Sequence, residues 1–400
     1  MLNKQMLEIF VELCRPVSPI RRLRQLKVFL KNAKKHGVKF ALSKPYELSF
    51  KWSNYKGMQH PLSRQIVDAK ASSDLNQFRK EIDLYFENES LIWSVAEKCH
   101  GQLGVWPISL SYPFSTTETI GPRKSLVSKI IPGDAYSFGD YQKYLDSYRQ
   151  SYFGITHKKG GWDCFRHLEI MFSGAIPLMA DALDIPEFSM IHYPKKELGQ
   201  VFGEFVRGAR NPSDNVRQGF QGHFNKFLTT EAMASYLLRC SGLLASKRIL
   251  FVDTRLGSSP DHFSFLTLIG LVQLKGCNVS VLSPVPYIWA DWNGSEDKLY
   301  GRGFGYTRIL DSQSRNEISD SYSKVRRQIS DGVFDAVVFG SIMRNTKIFS
   351  YLQSVLDPKN TLLINGEDLP AASETIEKLV NTRSHIFIRS LGSDGDNLNK

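Results

Sequence analysis

RILFVDTRLGSSPDHFSFLTLIGLVQLKGCNVSVL, residues Arg248–Leu282, decides the fold. The short apolar run Ile249 to Val252 reads as a strand that ends at Asp253. The loop Thr254–Asp261 carries glycine, serine and proline, and a helix is expected from about His262 to Leu274. Val279 to Leu282 is the next strand. The rhythm then repeats beyond an aromatic, glycine-rich insertion at Tyr287–Tyr306. Asp335–Phe339 reads as a strand, Asn345–Leu356 as a helix and Thr361–Ile364 as a strand. Ser373–Val380 is a helix and His385–Ile388 a last strand. Strands separated by helices specify an α/β fold with a parallel sheet covered on both faces.

Working outward, the same pattern appears earlier in YFGITHKKGGWDCFRHLEIMFSGAIPLMAD, residues Tyr152–Asp181. Phe153–Thr156 is a strand, Trp162 to about Phe172 a helix, and Ala175–Met179 a second strand. Between the first two lies the turn His157-Lys158-Lys159-Gly160-Gly161. Adjacent glycines let bare backbone approach an anion, and a helix N-terminus beside them favours negative charge. A break near residues 243–247 separates this unit from the one that begins at Arg248. The expectation is therefore α/β with two Rossmann-like domains facing across a cleft, at 46–246 and 247–400, preceded by a basic helical region at 1–45.

Between these landmarks the reading is coarser. Leu75–Cys99 is a long helix or helix pair, Val105–Ser111 and Leu126–Ile131 are strand-like, and Tyr141–Gln150 is a short helix. A helix is expected near Lys195–Arg207. Gly208–Gly222 reads as a polar irregular segment, and Thr230–Ala245 as a helix capped by Thr229 or Thr230.

Composition bounds the class. Of 400 residues, 42% are hydrophobic and 23% charged, as in a globular protein, and no run reaches the length needed to cross a bilayer. The N-terminus lacks the layout of a secretory signal. Cys14, Cys99, Cys164, Cys240 and Cys277 are scattered without metal-ligand spacing, which fits a reducing, cytoplasmic setting. The formal net charge is +11, and residues 1–40 hold ten Lys or Arg against two Glu, or +8, leaving about +3 for the rest. Helices at Leu2–Leu13 and Ile20–His36 are expected there. The second has one basic face, which suits an anionic membrane surface or a solvated helix on the protein body. No nucleic-acid-binding motif accompanies it.

Ligands of open parallel sheets sit beyond the C-terminal strand ends. That rule selects His157–Gly161 in the first unit, and Asp253–Asp261, Ser283-Pro284, Ser341 and Glu367-Asp368 in the second. Lys158, Lys159 and Arg166 have the charge to neutralise phosphates resting on Gly160-Gly161, and Glu169 the acceptor oxygens for ribose hydroxyls. Asp261, His262, Glu367 and Asp368 are the candidates for the reacting side, with Asp261 also a natural helix N-cap. Tyr287, Trp289, Trp292, Tyr300, Phe304 and Tyr306 either stack on sugar rings or pack the insertion. No Asp-x-Asp, Walker A or GxSxG pattern occurs, so no metal site is expected.

GGWDCFRHLEIMFSGAIPLMAD (160–181) resembles the donor-binding region of GT-B glycosyltransferases, in particular the exostosin-like branch and uncharacterised bacterial glycosyltransferase-like proteins. Glu169, Gly174 and Pro177 carry the likeness. The family's pair of Glu residues eight positions apart is represented by Glu169 alone, position 161 being glycine. Pro107–Ser111, Leu299–Phe304 and Asn365–Pro370 are weaker echoes, and their placement puts the two halves in reversed order. The resemblance implies a transferase that moves sugar from a nucleotide-sugar co-substrate, with no other cofactor, to a glycan or lipid-linked glycan acceptor in cell-surface polysaccharide synthesis. It further implies that Glu169 meets the ribose and the preceding loop the diphosphate. With the basic region, it suggests peripheral attachment at the inner membrane face. The alternative is a non-catalytic nucleotide- or glycan-binding module of the same fold.

Overall fold

The computed structural model describes residues 81, 82, 84, 86, 89–115, 123–132, 139–209, 211–318 and 321–392. The basic region expected at 1–45, with the membrane role expected of residues 1–40, lies outside the described residues. Pro132 aside, the described residues belong to one compact unit.

The chain enters through β1 (Glu81–Ile82), α1 (Glu89–Leu103) and β2 (Trp106–Pro107). Next come β3 (Ser125–Val127), α2 (Tyr141–Arg149), β4 (Ser151–Thr156), α3 (Phe165–Phe172) and β5 (Ile176–Met179). They are followed by α4 (Lys195–Val206), β6 (Asn211–Pro212), α5 (Asp214–Phe227) and α6 (Thr230–Cys240). The last run holds β7 (Arg248–Val252), α7 (His262–Gln273), β8 (Asn278–Leu282), β9 (Glu317–Ile318) and α8 (Tyr322–Ser330). It closes with β10 (Ala336–Phe339), α9 (Thr346–Leu352), β11 (Thr361–Asn365), α10 (Ser373–Val380) and β12 (His385–Ile388).

The strands of the last run, joined at one edge by β2, make a seven-stranded parallel sheet ordered β2-β12-β11-β10-β7-β8-β9. Counted from β7, the order across the sheet is 3-2-1-4-5-6, that of a doubly wound nucleotide-binding fold, with its switch point between β7 and β10. Side chains alternate between two apolar cores. Ile249, Phe251, Val338, Leu362 and Ile364 face one, where α6 and α7 pack. Leu250, Val252, Phe339, Leu363 and Ile388 face the other, against Val325 of α8, Ile348 of α9 and Ile376 of α10. Both faces being covered, each fully buried Leu, Ile or Phe contributes about 1.5–3 kcal/mol.

Every residue of α7 from Phe263 to Leu271 is buried, because the helix lies between the sheet and α6. Gly270 permits the approach: a Cβ there would stand 2.1 Å from the Thr230 carbonyl oxygen. A second parallel sheet, β3-β4-β5, shares the first of these cores through Phe153, Ile155, Ile176 and Leu178. In β4, Gly154 leaves room for Ile170 of α3 and Tyr148 of α2, which a Cβ would meet at 2.8 and 2.9 Å.

Several expectations change. Gly208–Gly222 is not irregular throughout: Ser213 caps α5 by accepting from Val216 N, and Val216, Phe220 and Phe224 bury one side. Its glycine is a packing residue, since Gly219 sits under the Phe86 ring. The helix expected to Ala245 stops at Cys240, where Gly242 turns left-handed (φ +69°), and its cap is Thr229. Within Leu75–Cys99, Glu81–Ile82 is a strand and the helix begins at Glu89. β9 and α8 were not anticipated between the aromatic insertion and β10.

Candidate functional site

His157–Gly161 follows β4 as expected, but α3 starts at Phe165, three residues later than the sequence predicted. The intervening residues are taken by tertiary bonds. His167 Nε2 lies 3.0 Å from the Trp162 carbonyl, which only accepts, so this nitrogen carries the proton and Nδ1 accepts from Thr156 Oγ1 at 2.8 Å. Burial pushes the pKa of this imidazole down to about 3, keeping it neutral. The Asp163 carboxylate accepts from Leu110 N and, at 2.9 Å, from the Tyr193 hydroxyl.

The turn itself is partly committed. Lys158 N donates to Asp181 Oδ2 at 3.0 Å and Lys159 N to the Gly161 carbonyl at 3.1 Å. Gly161 serves a close approach rather than an open cradle: a Cβ there would stand 2.3 Å from the Asp368 carbonyl oxygen. This explains why a glutamate has no place at 161. Gly161→Ala is expected to cost about 1–3 kcal/mol of stability, the usual range for overfilling a packed site. A urea midpoint equal to that of the wild type would show that the neighbouring loop yields freely.

Behind the turn lies a charged group under a tyrosine roof. Glu169 is 5% exposed and accepts from the Tyr144 hydroxyl at 2.9 Å. Burial holds its carboxyl above the usual carboxylate range, against the opposing pull of the Tyr144 bond and the Arg166 charge. Arg166, one turn earlier on α3, has Nε and Nη1 enclosed without a hydrogen-bond partner. Those two nitrogens carry three N–H donors. Lys159 is lowered by burial and by the like charge of Arg166. Lys158 is exposed, its Nζ 4.5 Å from the Trp162 ring centre.

The insertion after β8 covers this group from the other side. Phe304 stacks on Tyr141 at 4.9 Å between ring centres, and Gly305 (φ +77°) would carry a Cβ 2.8 Å from both the Phe165 ring and the Tyr141 hydroxyl. Of the aromatic run, Tyr287, Trp289 and Tyr306 are buried and pack the insertion, whereas Tyr300 is 64% exposed.

At the ends of β7, β10 and β11 a second polar group assembles. Asp253 is buried at the switch point and accepts from Ser264 Oγ (2.7 Å), Asn345 Nδ2 (3.1 Å) and Arg255 N (3.1 Å). Asp261 caps α7 through Ser264 N at 2.9 Å and pairs with Arg344 Nη1 at 3.3 Å. His262 lies among the rings of Phe165, Phe265, Tyr300 and Tyr306, at 5.0–5.5 Å between centres. Burial pushes its pKa down to about 4. Asp368 Oδ1 accepts from Arg389 Nη1 at 2.6 Å. Glu367 is exposed, its carboxyl raised by desolvation and by the charges of Asp261 and Asp368.

The two sets of sequence-selected residues therefore meet at Gly161 on Asp368, and Phe165, beside the first set, packs on His262 of the second. Arg389 joins them: buried, it donates from Nη1 to the Gly366 carbonyl at 3.1 Å and from Nη2 to the Asp163 carbonyl. Nothing in the sequence singled out Arg389, Tyr144 or the Asn345 partner of Asp253, since each acts through residues distant in the chain. No group of three His, Cys, Asp or Glu among the described residues is arranged to hold a metal ion, and no helix among them is long and apolar enough to cross a membrane. No protein-family model, curated protein or solved structure matches the chain.

Proposed function

We propose that the chain is a metal-independent glycosyltransferase that moves a sugar from a nucleotide-sugar to a glycan or lipid-linked glycan acceptor at the inner face of a membrane. The observation that carries the reading is Arg166. Three enclosed N–H donors without a hydrogen-bond partner, beside Lys159 and Gly160, suit the oxygens of a diphosphate. On this reading two Rossmann-like halves face across the substrate. Lys158, Lys159, Gly160 and Arg166 take the diphosphate and Glu169 the ribose, whereas Gly161, expected from the sequence to join them, is held against the Asp368 backbone.

Glu367 is the base of choice among the four candidates. Asp261 and Asp368 are held by arginines, and an imidazole with a pKa of about 4 is a weak proton acceptor. Glu367 takes the acceptor hydroxyl proton as that oxygen bonds to the anomeric carbon. The bond to the nucleotide breaks, and the electron pair leaves with the phosphate, whose charge Lys159 and Arg166 receive.

Thermal unfolding of the full chain with UDP, GDP, ADP, TDP and CMP tests the donor site. One nucleotide is expected to stabilise by about 2.7 kcal/mol at a hundredfold excess over its Kd. Arg166→Ala is expected to weaken that nucleotide by about 2–4 kcal/mol, and Arg166→Lys to restore little because the planar fork is lost. If no nucleotide shifts the transition, the donor site is wrong. Binding without hydrolysis or transfer for any matching nucleotide-sugar would favour the non-catalytic module.

A further inference from the structure

We infer that the acceptor is a sugar without phosphate or carboxylate at its reacting end, seated with a ring face on Tyr300 and its hydroxyls toward Glu367 and His262. This rests on the transferase reading above and names the substrate class that its acceptor side takes.

The exposed turn and the strand ends on either side of the Gly161–Asp368 contact differ in their side chains, with the buried Asp163 and Glu169 lying behind the first. On the α3 side stand Lys158, Lys159 and Arg166. On the other stand Asp261, Glu367 and Asp368, and the arginines beside them are already engaged. Arg344 binds the Ser259 carbonyl at 2.7 Å, Asp261 at 3.3 Å and Asp253 at 3.7 Å. Arg389 binds Gly366, Asp368 and Asp163. An anionic acceptor would meet three carboxylates whose own counter-charges are spent. The mutual repulsion of these groups is already felt at Glu367, which both neighbours push toward protonation. A neutral or amine-bearing sugar meets no such barrier.

Tyr300 supplies the platform. It is the exposed member of a buried aromatic set, at 64%, and its backbone is anchored where its carbonyl accepts from the Tyr306 hydroxyl at 2.7 Å. Tyr306 in turn stacks on Phe265 at 4.1 Å. Burial and then the charge of Asp368 hold the Tyr300 hydroxyl above the usual phenol range. His262, edge-on to Tyr300 at 5.0 Å, makes no side-chain hydrogen bond among the described residues. An aromatic face for sugar C–H groups, next to an imidazole and a carboxylate free to bond hydroxyls, is the layout of a carbohydrate subsite.

The test is binding of the fluorescently labelled full chain to printed glycans in neutral, amine-bearing, uronate, sialylated and phosphorylated classes. The nucleotide thermal shift is measured on the same preparations. Signal is expected on neutral and amine-bearing glycans, falling about tenfold in Tyr300→Leu while the nucleotide shift is kept. Glu367→Lys is expected to admit uronate glycans. Retention mainly of anionic glycans, equal binding by Tyr300→Leu, or no glycan bound at all would each overturn the inference. With the nucleotide shift intact, such a failure removes the acceptor assignment alone; loss of the shift in the wild type removes the transferase reading beneath it.

Discussion

Arg389→Ala is expected to lower the unfolding free energy by about 2–3 kcal/mol, the loss of a buried charged donor that serves two carbonyls and a partly exposed carboxylate. Arg389 is 7% exposed and engages Asp368 at 2.6 Å, the Gly366 carbonyl at 3.1 Å and the Asp163 carbonyl. Without it, two carbonyls lose a buried donor, while the Asp368 carboxylate, 39% exposed, is left to water. Asp163 lies at the centre of a second set of bonds, to Leu110 N and Tyr193, so the loss is expected to spread to the turn before α3. Urea unfolding measures it, and the double variant with Asp368→Asn should cost clearly less than the sum of the two singles. A loss below about 1 kcal/mol would place Arg389 among ordinary surface ion pairs and remove it as the joint between the two strand-end groups.

The second large effect is on rate. Glu367→Gln is expected to lower kcat by about 10²–10⁴-fold, the span of a general base, while leaving the nucleotide-induced thermal shift unchanged. Its pH dependence distinguishes this role. The folded Glu367 carboxyl is raised by desolvation, Asp261 and Asp368. The base form therefore appears only as pH rises through a value above the ordinary glutamate range, and kcat/KM should fall below it. The linkage to stability has the opposite sense: a raised carboxyl favours the protonated folded form, so this contribution is present at low pH and is lost as pH rises through the folded pKa. Glu367→Gln should flatten both dependences. An acid limb that survives the substitution would assign the proton to another group.

How much of this was legible varies with the distance over which each feature is decided. The β7–α7–β8 unit could be read directly, because a sheet covered on both faces needs short continuous apolar runs and its helix repeats apolar residues all round. The cap at Asp261 was equally local. α5 was hidden by Gly219 and Gly222, and the purpose of Gly219 shows only when the Phe86 ring is seen against it. β9 is two residues long, below any periodicity, and exists because Val281 and Leu282 offer it partners, whereas β2 lies within the strand-like run Val105–Ser111 and only its place in the sheet was hidden. The stretch 152–181 was recognisable as strand, turn, helix and strand. Its turn looked like an open anion cradle, yet Gly161 is spent on the Asp368 backbone and the helix begins three residues on. The unpaired donors lie deeper, on Arg166.

By itself, then, the sequence determined the α/β class, the succession of elements after Arg248 apart from β9 and α8, and the charged strand ends around residues 157–169 and 366–368. These follow from propensity, apolar spacing and local capping, which act within a few residues. Tertiary structure alone decided the 3-2-1-4-5-6 order, the seventh strand contributed by Trp106–Pro107, and the meeting of Gly161 with Asp368 and of Asp163 with Arg389. Those features depend on close packing and buried hydrogen bonds between segments distant in the chain, as with Asp163 and Arg389, whose separation is 226. No local pattern encodes which distant backbone will come to rest against a glycine.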